Sequence, residues 1–243
     1  MLQLDIITIF PSMLDSYIKE SILARAQKRG LIKITTHNLR DYASDKHKMV
    51  DDRPFGGGAG MVLKVEPIFK ALMALKKQKT KNKKQKTKIL LLSAKGKQFT
   101  HEMARRFSKL DRIIFICGRY EGVDERVAEY IADEEISIGP YVLTGGELPS
   151  MVVIDAVSRH ISGVLGNEES LKEESFVPYS KLQAKGQKSG VGVRKLEIAQ
   201  AEYPHYTRPE IFKPKKGVRW SVPKILLSGD HQRISKWRKA ARS

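Results

Sequence analysis

Apolar residues along the 243-residue chain alternate between short continuous runs and amphipathic stretches. Residues 2 to 10 are rich in isoleucine and close at Pro11, which predicts a strand ended by a breaker. Met13, Leu14, Tyr17, Ile18, Ile22, Leu23 and Ala26 then recur at helical spacing, with Gly30 as the stop. The same reading predicts strands over 31–39, 89–92, 112–117 and 135–138. Helices are predicted over 65–75, 100–110 (capped by Thr100), 124–131, 150–161 (with Ser150 as a cap) and 230–241. Strands alternate with helices, and the strands are continuous apolar runs. That pattern predicts a parallel sheet covered by helices on both faces.

Two segments break the alternation. Residues 40–61 carry little periodicity and contain Gly56, Gly57, Gly58 and Gly60, a long loop of the kind that serves function. After Gly163 the alternation fades. The expected organisation is a domain over 1–165, a polar linker with an inserted basic loop over 166–202, and a small helical domain over 203–243.

Composition narrows the class. Forty-five Lys and Arg against 27 Asp and Glu give a net charge of +18, which favours a polyanionic partner such as nucleic acid. Residues 76–88, KKQKTKNKKQKTK, hold eight lysines and are expected to form a solvated, self-repelling loop. Cys117 is the only cysteine and lies in an apolar run, so it is expected to pack as a small hydrophobe in a reducing, cytoplasmic setting. No signal-like start and no run of roughly 20 apolar residues is present, so no membrane association is expected. The six histidines show no zinc-ligand spacing, and no metal site is expected.

Candidate chemistry sits in three glycine-bearing loops, each after a predicted strand: Ser93–Gly96, Gly118–Gly122 and Gly139–Glu147. Open α/β sheets bind ligands outside the carboxyl ends of their strands, where glycine lets backbone approach a ligand closely. Neither a P-loop nor the dinucleotide fingerprint of a Rossmann fold occurs.

The strings HKMVDDRPFGGGAGM (47–61), GRYEGVDERV (118–127), SIGPYVLTGGELPSMVVIDAVSRHISGVLGN (137–167), ESF (174–176), PHYTRPE (204–210) and SGDHQRISKWR (228–238) resemble the bacterial tRNA (guanine-N1)-methyltransferases, the TrmD family. The resemblance implies a SPOUT fold with a C-terminal trefoil knot in the sheet. It also implies S-adenosylmethionine as methyl donor, tRNA as substrate, and a homodimer whose active site is shared across subunits. Carried over position by position, the cofactor residues are Leu91, Leu92, Gly118, Tyr120, Glu121, Ser137, Ile138, Gly139, Tyr141, Leu143, Gly145, Gly146 and Pro149. Ordinary core packing competes for Leu91 and Leu92.

The reaction expected from the resemblance removes the N1 proton of guanine while charge builds on O6. The family's base is an Asp in an Asp-Ser-Phe motif. Here that position is Glu174, one methylene longer, with Ser175 beside it and Arg159 as the cation for O6. Substrate contacts are expected from Asp51, Arg53, Gly56, Gly57, Gly58, Ser175, Glu202, His205 and Arg208. Tyr206, Lys236, Trp237 and Arg238 add cations and aromatics suited to RNA. Magnesium is compatible with the chemistry, but no residue pattern specifies it. Ala59 and Ala94 stand where the family usually has Pro. The competing readings are a SPOUT enzyme acting on another RNA atom, such as a ribose hydroxyl, and a catalytically impaired RNA-binding homologue.

Overall fold

The computed structural model describes residues 1–77, 85–166 and 203–241. The chain divides into two compact units, Met1–Gly166 and Asn167–Ser243.

The first unit is built on five parallel strands: β1 (Leu2–Thr8), β2 (Ile32–Asn38), β5 (Thr87–Gln98), β6 (Arg112–Cys117) and β7 (Glu134–Ser137). Their order across the sheet is β2-β1-β6-β5-β7. The central strand β6 is buried at every residue, which is why residues 113–117 read as an unbroken apolar run, while Arg112 at its start is buried on an ion pair with Asp5 at 2.7 Å. Side chains alternate between two cores. Leu4, Ile6, Leu90, Leu92, Phe115 and Cys117 face α1 (Asp15–Ile18), α2 (Ser21–Lys28), α4 (His101–Phe107) and α6 (Glu147–Ser158). Ile7, Ile89, Leu91, Ile114 and Ile116 face α3 (Val65–Lys77) and α5 (Glu125–Tyr130). The layered α/β architecture expected from the alternation is therefore present.

Element details depart from the sequence reading. The helix expected from Met13 onward is split into a 3-10 turn (Pro11–Leu14), α1 and α2. The buried positions explain the split. Leu14 and Ile18 are four apart, but the next buried residue is Leu23, five further on, so one straight helix cannot bury all three. The left-handed Ser21 (φ 51°) resets the phase. Helix α6 starts at Glu147, so Ser150 is not its cap; its hydroxyl instead donates to the Glu147 carbonyl at 2.6 Å. Thr100 does cap α4, accepting from the Met103 amide at 3.3 Å. The lysine-rich stretch is shorter as a connection than expected, because α3 runs on to Lys77 and β5 begins at Thr87. Residues 78–84 lie outside the described part.

Ser93–Gly96 is not a terminal turn but a bulge inside β5. Both Leu92 and Lys97 pair with Ile136 of β7, so the residues between them are surplus on one strand. A Cβ at Gly96 would lie 2.5 Å from the Ile136 backbone nitrogen, so only glycine allows the bulge to fold back onto β7.

The described part of the second unit carries a hairpin of two-residue strands, β8 (Ile211–Phe212) and β9 (Trp220–Ser221). A 3-10 turn (Lys224–Leu227) and α7 (His231–Ala240) follow. Asp230 caps α7, accepting from the Arg233 amide at 3.0 Å. The sequence does not predict the hairpin, because strands of two residues leave no periodic signal.

Candidate functional site

A cavity of about 400 Å³ opens at the carboxyl ends of β6 and β7 and at the bulge within β5, within the usual range for a small-molecule site. The β5 bulge forms one wall, the loop from Gly118 to Val123 a second, and residues 137–146 a third; Pro149 in the first turn of α6 completes it. All thirteen positions named as cofactor contacts line this cavity. Leu91 and Leu92 are only 2% and 4% exposed, so they belong to the two cores as well as to the cavity floor.

Glycine permits the loops to converge. The Gly146 amide donates to the Gly118 carbonyl at 2.9 Å, and Arg119 bridges Gly145 in antiparallel fashion. A Cβ at Gly146 would lie 2.6 Å from Cys117 Cα, and one at Gly139 would strike the Tyr141 ring at 2.3 Å. The Ser137 hydroxyl closes the third loop by donating to the Gly139 carbonyl at 2.9 Å. Tyr120 lines the cavity in a left-handed conformation (φ 60°), strain of the kind found at ligand sites.

A charged layer supports the apolar one. Glu147, 2% exposed, accepts from Arg119 Nε at 2.9 Å and from the Thr8 hydroxyl at 2.5 Å. The Arg119 guanidinium also donates to the Thr144 carbonyl at 3.2 Å and lies 4.8 Å from the centre of the Phe10 ring. Across the mouth, Lys95 pairs with Glu125 at 2.5 Å, and that hydrogen bond raises the ammonium's pKa. Glu135 Oε1 is buried without a hydrogen-bond partner among the described residues. Burial pushes the Cys117 thiol well up, with the Glu147 charge adding to it, so Cys117 stays a neutral packing group.

The sequence reading does not single out Arg119, Glu147, Lys95 or Glu135. Arg119 and Glu147 lie inside motifs read for their glycines, and opposite charges in two adjoining glycine loops are the available signal.

The loop carrying the expected substrate residues is fastened to the cavity rim. Asp51 and Asp52 form β3, which pairs with β4 (Val62–Leu63). The Leu63 amide donates to the Gly122 carbonyl at 3.0 Å, and the Glu121 amide donates to the Met61 carbonyl at 3.1 Å. Gly56, Gly57, Gly58 and Gly60 all have positive φ, and a Cβ at Gly60 would lie 2.6 Å from Glu121 Cγ. Arg53 is exposed and Asp51 half-buried.

Other expected residues are not at the cavity. Arg159 follows the last turn of α6, whose first turn lines the cavity; twelve residues of helix separate the two ends by about 18 Å. It stands beside His160, whose ring packs edge-on against His101 at 4.8 Å. Burial, and then the charges of His101, Arg105 and Arg159, lower the His160 pKa to about 4. Glu174, Ser175 and Glu202 lie outside the described residues. His205 and Arg208 belong to the second unit, where His205 packs on Tyr203 at 4.6 Å and Arg238 lies 4.8 Å from the Tyr203 ring centre. Among the described residues no group of three or more His, Cys, Asp or Glu is placed to hold a metal ion, and no helix is long and apolar enough to cross a membrane.

Fold and cavity together define an α/β protein with a cavity of small-molecule size on one edge of a parallel sheet. The chain matches the family described as tRNA (Guanine-1)-methyltransferase TrmD over residues 2–243, and it belongs to that family. It is 48% identical over 239 residues to a tRNA (guanine-N(1)-)-methyltransferase of Dictyoglomus turgidum, covering 98% of this chain and 84% of the relative. Relatives of the same name from Carboxydothermus hydrogenoformans and Koribacter versatilis are each 46% identical over 238 residues. Both alignments cover 98% of this chain, with 81% and 86% of the respective relatives.

Proposed function

We propose that the chain transfers a methyl group from S-adenosylmethionine to N1 of the guanine immediately 3′ of the anticodon in tRNA. The observation that carries this reading is the convergence of three loops on one cavity, in a chain that belongs to this family over its whole length.

The cavity fits the donor by its chemistry. Glycine-rich backbone between residues 139 and 146 offers amides and carbonyls to an adenine edge, and Ile138, Leu143 and Pro149 supply apolar walls. The donor, when bound, supplies a sulfonium methyl that is already electrophilic. The protein's task is then alignment and removal of one proton. Glu174 accepts the N1 proton of guanine, and the Arg159 guanidinium stabilises the charge that builds on O6. The β3–β4 loop, with Asp51, Arg53 and its glycines, covers the target base from the cavity rim. Ser175 and Glu202 contact the substrate near the base.

The span of about 18 Å along α6 supports assembly as a homodimer, in which one subunit's cavity works with the Arg159 and Glu174 of the other. The sheet edge around β5 and β7 carries the trefoil knot of a SPOUT fold, in a domain over 1–165. Residues 166–202 form the linker, and residues 203–243 form a tRNA-binding domain in which His205 and Arg208 hold phosphates. The compartment is the cytoplasm.

Incubating the purified chain with S-adenosylmethionine and tRNA, followed by mass mapping of the modified nucleotide, tests the proposal. Methyl on N1 of that guanine is the expected result; methyl on another atom or at another position overturns the substrate assignment.

A further inference from the structure

We infer that the β8–β9 hairpin is an RNA-stacking finger on which an unpaired base stacks against the paired rings of Phe212 and Trp220. The two residues are register partners across the ribbon, so their side chains share one face, with ring centres 5.7 Å apart and planes tilted by 46°. Both stand in solvent, Phe212 at 50% and Trp220 at 62% exposed. A ribbon of two-residue strands buries too little to hold its own shape in water, and the cross-strand aromatic pair stabilises it only modestly, without drawing either ring out of solvent. Its one fixed point is regular pairing, extended by the Val222 amide donating to the Glu210 carbonyl at 2.9 Å. The aromatic face is therefore built to be covered.

Charge selects the occupant. From Ile211 to Lys224 the chain carries Lys213, Lys215, Lys216, Arg219 and Lys224 and no acidic residue. The first four are exposed on the turn that joins the two strands. Gly217, at φ 81°, lets that turn reverse tightly and keeps the cations beside the rings. An unpaired nucleotide presents a flat π face with an anionic phosphate next to it, so a site for it needs aromatic and cationic groups side by side. A lipid surface would call for a deeper apolar wedge than two rings and Ile211 provide. The tRNA partner follows from the proposed function, whereas the RNA contact itself is measurable without methylation.

The test uses the full chain and the variants Phe212→Ala, Trp220→Ala and Trp220→Phe, with circular dichroism to show that each is folded. An unstructured oligoribonucleotide should quench tryptophan fluorescence of the wild type, and in Trp220→Phe that quench should fall to the part contributed by Trp237 alone. Loss of one stacking partner should weaken tRNA binding by about tenfold in either alanine variant, with Trp220→Phe restoring most of it. S-adenosylhomocysteine binding should not change. Four outcomes overturn the inference. They are unaltered tRNA affinity in both alanine variants, an equal quench by inorganic polyphosphate, a quench by phosphatidylserine vesicles but not RNA, and a Trp220 already shielded from acrylamide in a self-associated chain. An RNA quench in a chain that methylates no guanine would sink the proposed function and leave the finger standing.

Discussion

Arg119 and Glu147 form a nearly dry ion pair, Nε to Oε2 at 2.9 Å, with side chains 13% and 2% exposed. The pair joins the loop after β6 to the first turn of α6, beneath the cavity. Its acid is held from the other side by Thr8, at the end of β1. The glycine loops at 118–122 and 139–146 are thus locked together by charge.

Removing the cation strands a buried carboxylate. Arg119→Ala should lower unfolding free energy by about 3 kcal/mol, more than the pair itself is worth, because the acid is left unpaired. Urea denaturation measures this. A double mutant with Glu147→Gln should recover part of the loss, and strictly additive losses would show that the pair is not coupled.

Gly146 has backbone, not a yielding side chain, where its Cβ would go: Cys117 Cα at 2.6 Å. Gly146→Ala should weaken S-adenosylhomocysteine binding by at least about tenfold, since a displaced loop cannot keep its Gly118 contact. At Gly118 a Cβ would meet nothing closer than 3.7 Å, and Gly118→Ala should lose less. Calorimetric titration of both variants decides the matter.

Glu174→Ala should abolish methyl transfer and leave S-adenosylhomocysteine affinity unchanged. Glu174→Asp, which restores the side-chain length usual in the family, should retain turnover. If Glu174→Ala turns over at the wild-type rate, proton removal belongs to another group.

His160 gives the fold an acid-side weakness. Its folded pKa, lowered to about 4 by burial and by neighbouring cations, lies below the ordinary 6.5. Between those two values the unfolded chain binds a proton that the folded chain refuses, so stability falls as pH drops from 6.5 to 4. Below about 4 both forms are protonated and the loss is complete. His160→Gln should flatten that part of the stability–pH curve, as followed by denaturant midpoints. An unchanged slope would mean that His160 is not the group responsible.

The sheet and both its helical layers are readable because residues 113–117 of β6 and the 89–92 run of β5 are apolar without interruption, and the helices between strands bury one stripe each. Phase errors are not readable. Spacing rules alone cannot show that the step from Ile18 to Leu23 breaks a helix, because Ile22 offers a tempting alternative in register. The bulge at Ser93–Gly96 is hidden for a related reason: whether a glycine ends a strand or kinks it depends on Ile136, which lies on another strand. The glycines of the cavity are legible as local punctuation. The charges beneath them, Arg119 and Glu147, are not, since their meaning comes from a contact across 28 positions.

Helix α6 behaves as a ruler. Its near end touches the ligand cavity and its far end carries Arg159, so within one subunit a rigid rod keeps them apart. Mixing Gly146→Ala chains with Arg159→Ala chains, each impaired alone, should therefore give hybrids in which one of the two sites is whole. Regained activity would show that the arginine works in trans; permanent silence would put both groups to use in the same subunit.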